Sequence, residues 1–543
     1  MPNYLNRFTV PAIVTVAFAS FTLAACGGSD SEEAAVSNLA KYMPADALVY
    51  VEGSVRPEQD VADNVESLST RITGTSLSDT IDEALNSTSG SNITYDTDVE
   101  PWLGESAAMY VSADLASEAD ALSSASPAPG ETAYAGVSDA STEDVGLVAE
   151  STDVEASQSF IDKAAEEDGA TDGEYEGFSY KISKDDDSVL GIVDDNVVFA
   201  TSVTVFEAMV DASKGDSLEG TKAFSEVIGN TPDGSLMNMF VANEPIVSAS
   251  SETDATSGVD VNSIYSALGV DYTDTGTLVS MVPKENEISM VGSTNLESPF
   301  VSGDASAMIE SFPANSLFAT GSGDIGANVT KVIDTIDQEG IEGLVKPGEL
   351  KKNLNEASGQ GLDVLQIVES LETVGMFVSG DTEQNLGGAL VATTSDPEPL
   401  KNALGAFSSL IALADDASVK PLGGGMTGFR VRTPELPGRP VVIALQGDRL
   451  VVGIGLEASR QALSGKGESL ADSAAYKAAA DSLSGENVDM FGNPSAIGSL
   501  ITSAMAGDPD AKAVADVMNK FEYMVSGSGS EDKSFAFNLG MND

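Results

Sequence analysis

The feature that most constrains this chain is that much of it is written twice, in the same order. Met43-Pro44-Ala45-Asp46-Ala47-Leu48-Val49-Tyr50 matches Phe312-Pro313-Ala314-Asn315-Ser316-Leu317-Phe318-Ala319 at an offset of 269. Met109–Ser112 matches Met376–Ser379 at 267, and Leu147-Val148-Ala149 with Asp153 matches Leu390-Val391-Ala392 with Asp396 at 243. Gly177-Phe178 pairs with Gly428-Phe429 at 251, and Val197-Val198 with Leu450-Val451 at 253. A period this long is a duplicated domain, not a short solenoid repeat. The fall from 267 to 243 puts 24 extra residues in the first copy. They lie in about 113–144, an Ala/Ser/Asp/Glu stretch with Pro127-Ala128-Pro129-Gly130, which reads as a mobile insertion. The expected halves are 40–300 and 308–543.

Each half carries one plan. A Pro-led strand, Leu48–Val51 or Leu317–Thr320, precedes a helix, opened by Pro57-Glu58 in one copy and covering Ile325–Ile336 in the other. Strands follow at Ala107–Ser112 or Val374–Ser379, then at Gly146–Glu150 or Ala389–Thr393. Asp153 and Asp396 then cap helices; Asp396-Pro397-Glu398 supplies a cap, a proline at the first helical position and an acid in the first turn. Leu400, Ala403, Leu404, Phe407, Leu410 and Ile411 recur at helical spacing. A meander with hairpins at Asp194-Asp195-Asn196 and Gln446-Gly447-Asp448-Arg449 comes next, and paired strands close each half. The fold class is α+β: two homologous halves, each a mostly antiparallel sheet with packed helices. The near-unbroken apolar runs 197–200 and 441–445 predict sheet centres covered on both faces.

Ahead of this body, Arg7 and the apolar run Phe8–Ala25 end in Leu23-Ala24-Ala25-Cys26. The arrangement reads as an export signal, residues 1–25, followed by a lipidated Cys26 and a flexible tether over 26–39. Two alternatives remain open: an uncleaved membrane helix at the short end of the spanning range, and an ordinary cleaved signal with an incidental cysteine. Cys26 is the only cysteine among 543 residues, so no intrachain disulfide can form.

The chain has 26 basic and 86 acidic residues, net −60, and no histidine. Such a charge repels nucleic acid and anionic membrane surfaces. It suits a saline setting and can hold divalent cations loosely. Lacking histidine, the chain lacks the commonest general base and metal ligand, which argues against a conventional enzyme; no catalytic, cofactor-binding or metal residue is nominated.

The Leu23–Cys26 box resembles the bacterial lipobox, in which diacylglycerol joins the cysteine sulfur before cleavage. Together with Pro44-Ala45-Asp46-Ala47-Leu48-Val49-Tyr50-Val51-Glu52 and Glu100-Pro101-Trp102-Leu103-Gly104-Glu105, it is similar to an actinobacterial-type family of secreted lipoproteins known only as a domain of unknown function. The resemblance implies lipid anchoring in the cell envelope, outside the cytoplasm, and no defined chemistry. The second half has no Pro-Trp-Leu-Gly counterpart.

Other motifs have bland readings. Gly321-Ser322-Gly323-Asp324-Ile325-Gly326 fits a dinucleotide fingerprint, but the first half has Glu52–Pro57 there, and a tight strand-to-helix turn suffices. Asp185–Asp187 and Asp271–Gly276 lack full EF-hand spacing. Trp102 reads as a core plug or a stacking platform. Gly423-Gly424-Gly425 reads as a loop, with no Gly-Lys-Ser/Thr after it. The expected role is non-catalytic binding or scaffolding, the partner being an envelope protein or an apolar ligand. The alternatives are a carrier of lipid or another apolar ligand, and a carboxylate-dependent hydrolase of cell-wall polymer, marked by two facing buried carboxylates in one half only.

Overall fold

The structure is a computed structural model. It describes residues 39–75, 93–112, 145–184, 186–245, 265–301, 303–341, 345–358, 363–411, 418–422, 426–432, 438–465, 467–505, 507–529 and 533–542. The signal segment, Cys26 and its tether up to residue 38, the 113–144 insertion, Asp185 and Gly423–Gly425 lie outside the described residues. The chain forms two compact units, one comprising residues 1–253 and 272–296, the other 254–271 and 297–543. Among the described residues no helix is long and apolar enough to cross a membrane.

Among the described residues unit 1 contains ten strands: β1 (Ala47–Ser54), β2 (Leu103–Ser112), β3 (Val145–Ser151), β4 (Thr171–Tyr175), β5 (Phe178–Ile182), β6 (Val189–Val193), β7 (Asn196–Ala200), β8 (Met237–Ala242), β9 (Gly276–Lys284) and β10 (Glu287–Thr294). Every pairing is antiparallel, in the order β10-β9-β8-β1-β2-β3-β7-β6-β5-β4. Unit 2 contains β11 (Ser316–Ser322), β12 (Leu371–Ser379), β13 (Gly387–Thr394), β14 (Ser418–Pro421), β15 (Thr427–Arg432), β16 (Val441–Gln446), β17 (Arg449–Ile454), β18 (Asn487–Gly492), β19 (Phe521–Ser528) and β20 (Ser534–Met541). Its order is β20-β19-β18-β11-β12-β13-β17-β16-β15-β14, again antiparallel throughout. Helices and antiparallel sheet together make the α+β class.

The two orders correspond strand for strand, and so does the register. Val51 pairs with Met109, Met109 with Leu147 and Leu147 with Phe199. In unit 2 the same row is Thr320, Met376, Leu390 and Val452. Four of the five sequence matches therefore occupy equivalent places. The fifth does not: Tyr180 pairs with Gly191, and Gly428, not Val431, takes that position by pairing with Ala444. The match of Gly177-Phe178 to Gly428-Phe429 slides by three residues. Because strand side chains alternate between faces, the odd shift sends Phe178 and Tyr180 to one face and Phe429 and Val431 to the other.

Both sheets bury one face under short helices. In unit 1 that core holds Tyr42, Tyr50, Phe206, Phe224 and Phe240, roofed by helices Val203–Lys214 and Lys222–Ile228. In unit 2 it holds Phe312, Phe377, Tyr476 and Phe491, roofed by helices Leu456–Ser464 and Ala474–Ser482. Even the entry is shared: Pro44 bridges to Ser217 and Pro313 to Ser469. The run 197–200 is covered on both faces as expected, whereas Val441 and Ile443 of β16 are only half-buried. The second face is where the units part.

Candidate functional site

In unit 1 the second face is closed by an aromatic plug. Helix Val154–Asp168 begins at Asp153, whose carboxylate accepts from the Glu155 and Ala156 N–H groups at 3.0 Å each. It lays Phe160, Ile161 and Ala164 on the sheet. Trp102, just before β2, stacks at 5.4 Å centroid separation on Phe160. The Trp102 indole N–H donates to the Asp98 carbonyl at 2.7 Å, and the Asp98 carboxylate receives Lys163 of the helix at 2.7 Å. Burial alone would raise the Asp98 pKa; the Lys163 and Thr94 hydrogen bonds outweigh it and hold the carboxyl below its usual value. Tryptophan turn and helix are thus clipped together over Leu147 and Phe199, which are 7% and 4% exposed. Trp102 is a plug, one of its two sequence readings.

Among the described residues unit 2 lacks both parts of this roof. At the helix offset of 243 Phe160 is replaced by Ala403; at the head of the strand Leu103 pairs with Ser151 as Leu371 pairs with the equivalent Thr394, so Trp102 is replaced by Ser370. Helix Glu398–Ile411 buries Leu400 and Leu404 on Phe429, Val431 and Leu445, farther out on the sheet. The central row is left open: Met376 is 42% exposed, Leu390 45%, Val452 37% and Ile454, two residues along β17, 42%. Met376 pairs with Leu390 and Leu390 with Val452, so these side chains form one contiguous apolar stripe on one face. Contiguous exposed apolar surface of this kind marks interaction sites.

Unit 1 is hollow where unit 2 is filled. Beneath helix Val154–Asp168 lies a cavity of about 500 Å³ lined by Gln158, Ile161, Asp172, Glu174, Ser179 and Lys181. Lys181 occupies the register position that Phe429 fills in unit 2. Asp172 at 2.7 Å and Asp162 at 3.8 Å balance Lys181, whose pKa is raised chiefly by the Asp172 hydrogen bond.

The chain belongs to a known family. A family model described as "Protein of unknown function (DUF3352)" matches residues 8–491. No curated protein matches the chain. A solved structure titled "Structure of crystal form I of TP0453" is 12% identical, with a TM-score of 0.24, covering 49% of this chain and 81% of its own. The family description specifies no chemistry, so the site rests on the side chains themselves.

The remaining motifs resolve locally. Gly321–Gly326 is a strand-to-helix turn: the Gly323 N–H donates to the Gly303 carbonyl at 3.1 Å, and a Cβ on Gly323 would lie 2.6 Å from the Gly303 backbone. The protein's own chain fills the space a phosphate would need. In Asp271–Gly276, Thr275 donates to the Tyr272 carbonyl at 2.7 Å and Gly276 N–H to Asn295 at 2.7 Å. Asp186 accepts from the Ser188 N–H at 3.1 Å. Among the described residues no group of three or more metal-ligating side chains converges. In unit 1 the buried Glu52 accepts from the Tyr50 hydroxyl at 2.7 Å, and the half-buried Glu150 accepts from the Glu105 and Ser106 N–H groups at 3.2 and 3.0 Å. Burial pushes Glu150 up. In unit 2 Glu486 is also pushed up by burial, and its Oε2 is buried without a hydrogen-bond partner.

The open stripe was missed by the sequence reading, although its signals were printed in the repeat: the lone Trp102 motif, and alanine where the first copy has Phe160. A second overlooked signal is charge. Five of the chain's eight arginines fall within 430–460, and residues 418–454 carry five basic and two acidic side chains, net +3; the equivalent 171–200 carry two basic and eight acidic, net −6.

Proposed function

We propose that this protein is an envelope lipoprotein, anchored through lipid on Cys26, that acts by binding rather than catalysis, and that its two units arose by duplication. The matching strand order and register support the duplication. The observation that carries the binding role is the divergence of one equivalent row: Met109, Leu147 and Phe199 are plugged in unit 1, while Met376, Leu390 and Val452 are left open in unit 2. One copy keeps the row as core and the other presents it to a partner. This favours the carrier reading over a scaffold, because the stripe is apolar and narrow.

Two measurements test the two parts. Intact-mass spectrometry of the mature protein is expected to show a chain beginning at Cys26 with the mass of attached acyl chains, lost in Cys26→Ser; an unmodified Cys26 would remove the anchor. Native mass spectrometry of the mature protein after mild detergent release is expected to show a bound small molecule, and persistently bare protein would count against the carrier.

A further inference from the structure

We infer that Lys420, Arg430 and Arg432 of unit 2 form a binding site for the phosphomonoester group of a small soluble ligand. The site lies on the sheet face opposite the open stripe, so it stands apart from the carrier reading.

The register brings the three cations together. Lys420 of β14 pairs directly with Arg430 of β15, which sets their Cβ atoms about 5 Å apart. Arg432 is two residues along β15, on the same face and about 7 Å from Arg430. Arg430 pairs with Val442, a residue of the core roofed by helix Leu456–Ser464, which fixes the face. Phe429 and Val431 are buried on the other side of β15, so the strand is held from behind. Lys420 and Arg432 are exposed and Arg430 is half-buried.

Among the described residues none of the three makes an ion pair or a hydrogen bond, whereas Lys401 and Arg460 of the same unit meet carboxylates at 2.5 and 3.8 Å. Like charges directly opposite one another destabilise a sheet. Unit 1 avoids this: its equivalent pair is Thr171 and Ile182, and Ile182 packs on the core. Unit 2 keeps the unfavourable pair in a chain that has 86 acids. A lysine on an edge strand can serve to block strand pairing, but Pro421 already does that. The Leu422 N–H donates to the Gly428 carbonyl at 3.0 Å, so by alternation Lys420 turns its main chain toward β15 and Pro421 turns outward, with no N–H to offer. Edge blocking also gives no reason for Arg430, one strand in.

Charge and donor count select the ligand. A carboxylate has one charge and two oxygens, which a single guanidinium fork satisfies. Two guanidiniums and an ammonium suit a group with nearly two charges and three free oxygens, which is a phosphomonoester. A bilayer or a long polyanion meets the net charge of −60; a small ligand meets only the net-positive 418–454 segment.

The test uses the entire mature chain carrying Cys26→Ser, titrated by calorimetry with glycerol 3-phosphate and with glycerate at moderate salt. Saturable binding of the phosphate at least tenfold tighter than of glycerate is expected. Arg430→Gln with Arg432→Gln is expected to weaken the phosphate tenfold or more, and Arg432→Gln alone about threefold; the single variant, at an exposed position, carries the test should the pair lose its fold by circular dichroism. Arg460→Gln, whose side chain pairs with Glu457, is the control and is expected to change nothing. The second proton of a phosphomonoester leaves near pH 6 and no lysine or arginine titrates there, so affinity is expected to fall at least threefold from about pH 7.5 to about pH 5. Equal binding of glycerate, or an affinity independent of pH, would overturn the phosphomonoester. Undiminished binding in the arginine variants would overturn the site, and absence of saturable binding would overturn the inference while leaving the carrier reading intact. Vesicles of phosphatidylcholine with and without phosphatidate separate the two sources of such a phosphate: no co-sedimentation is expected, and co-sedimentation with phosphatidate that the arginine variants abolish would overturn the soluble ligand in favour of a lipid headgroup.

Discussion

Unit 1 and unit 2 build the same ten-strand sheet in the same register, yet the row that unit 1 hides is the row that unit 2 exposes. The difference comes from two side chains outside the row. Trp102 and Phe160 roof Leu147 and Phe199 in unit 1, whereas Ser370 and Ala403 stand in their places in unit 2. The complementary exchange occurs on the outer strands, where Phe429 fills unit 2 and Lys181 leaves a polar cavity in unit 1. Two sheets of the same strand order thus place their vacant space differently by carrying different plugs, without a change of strand. The main chain is committed by its hydrogen-bond ladder, but a roof is only a few side chains.

The comparison can be broken most sharply at the plug. Phe160→Ala is expected to cost unit 1 about 3–5 kcal/mol, because it removes a buried ring and leaves a cavity. Urea denaturation followed by the emission of Trp102, the sole tryptophan, reads unit 1 alone; a loss below about 1 kcal/mol would mean that the roof is not part of the core. The equivalent pair gives the next effect: Leu147→Ala is expected to cost about 2–5 kcal/mol, and Leu390→Ala less than about 1 kcal/mol, because nearly half its side chain is already in water. Similar costs at the two positions would refute the assignment of one row as plugged and the other as open.

A middle-sized effect tests the clip. Asp98→Ala removes the partner of Lys163 and Thr94, and is expected to cost about 1–3 kcal/mol and to shift Trp102 emission to the red. Asp153→Ala and Asp396→Ala should each cost about 1 kcal/mol, since Asp396 accepts from the Glu398 N–H at 3.0 Å as Asp153 does from its own helix; a large difference between them would show that the helices are not equivalent. The smallest effect is electrostatic. Glu486 binds its proton more tightly folded than unfolded, so it favours the fold at low pH, and that contribution is lost as pH rises from the ordinary carboxylate range, about 4.3, through its raised value. Glu486→Gln should therefore raise Tm at pH 7 and leave it unchanged near pH 4, as read by circular dichroism.

Much of this was legible in the residues because strands and caps are local. Asp153 and Asp396 announced their helices, and the offsets 267, 243 and 253 located β2, β3 and β7 and their partners. The match at Gly177-Phe178 failed because a Gly-aromatic pair is too short to determine parity, and a shift by an odd number of residues changes which face a side chain occupies. The stripe escaped for another reason: Met376, Leu390 and Val452 are as apolar as their buried counterparts, and hydrophobicity alone does not say whether a roof lies above them.

The sequence by itself determined the repeat, the antiparallel plan and the acidic, histidine-free composition, because these depend on order and alternation along the chain. Only the tertiary structure decided which apolar residues are core and which are surface. That depends on Trp102 and Phe160 reaching across more than forty residues to the same rows of the sheet, and on Ala403 being too small to do the same. Burial is a property of what covers a side chain, and the covering residue is distant in sequence.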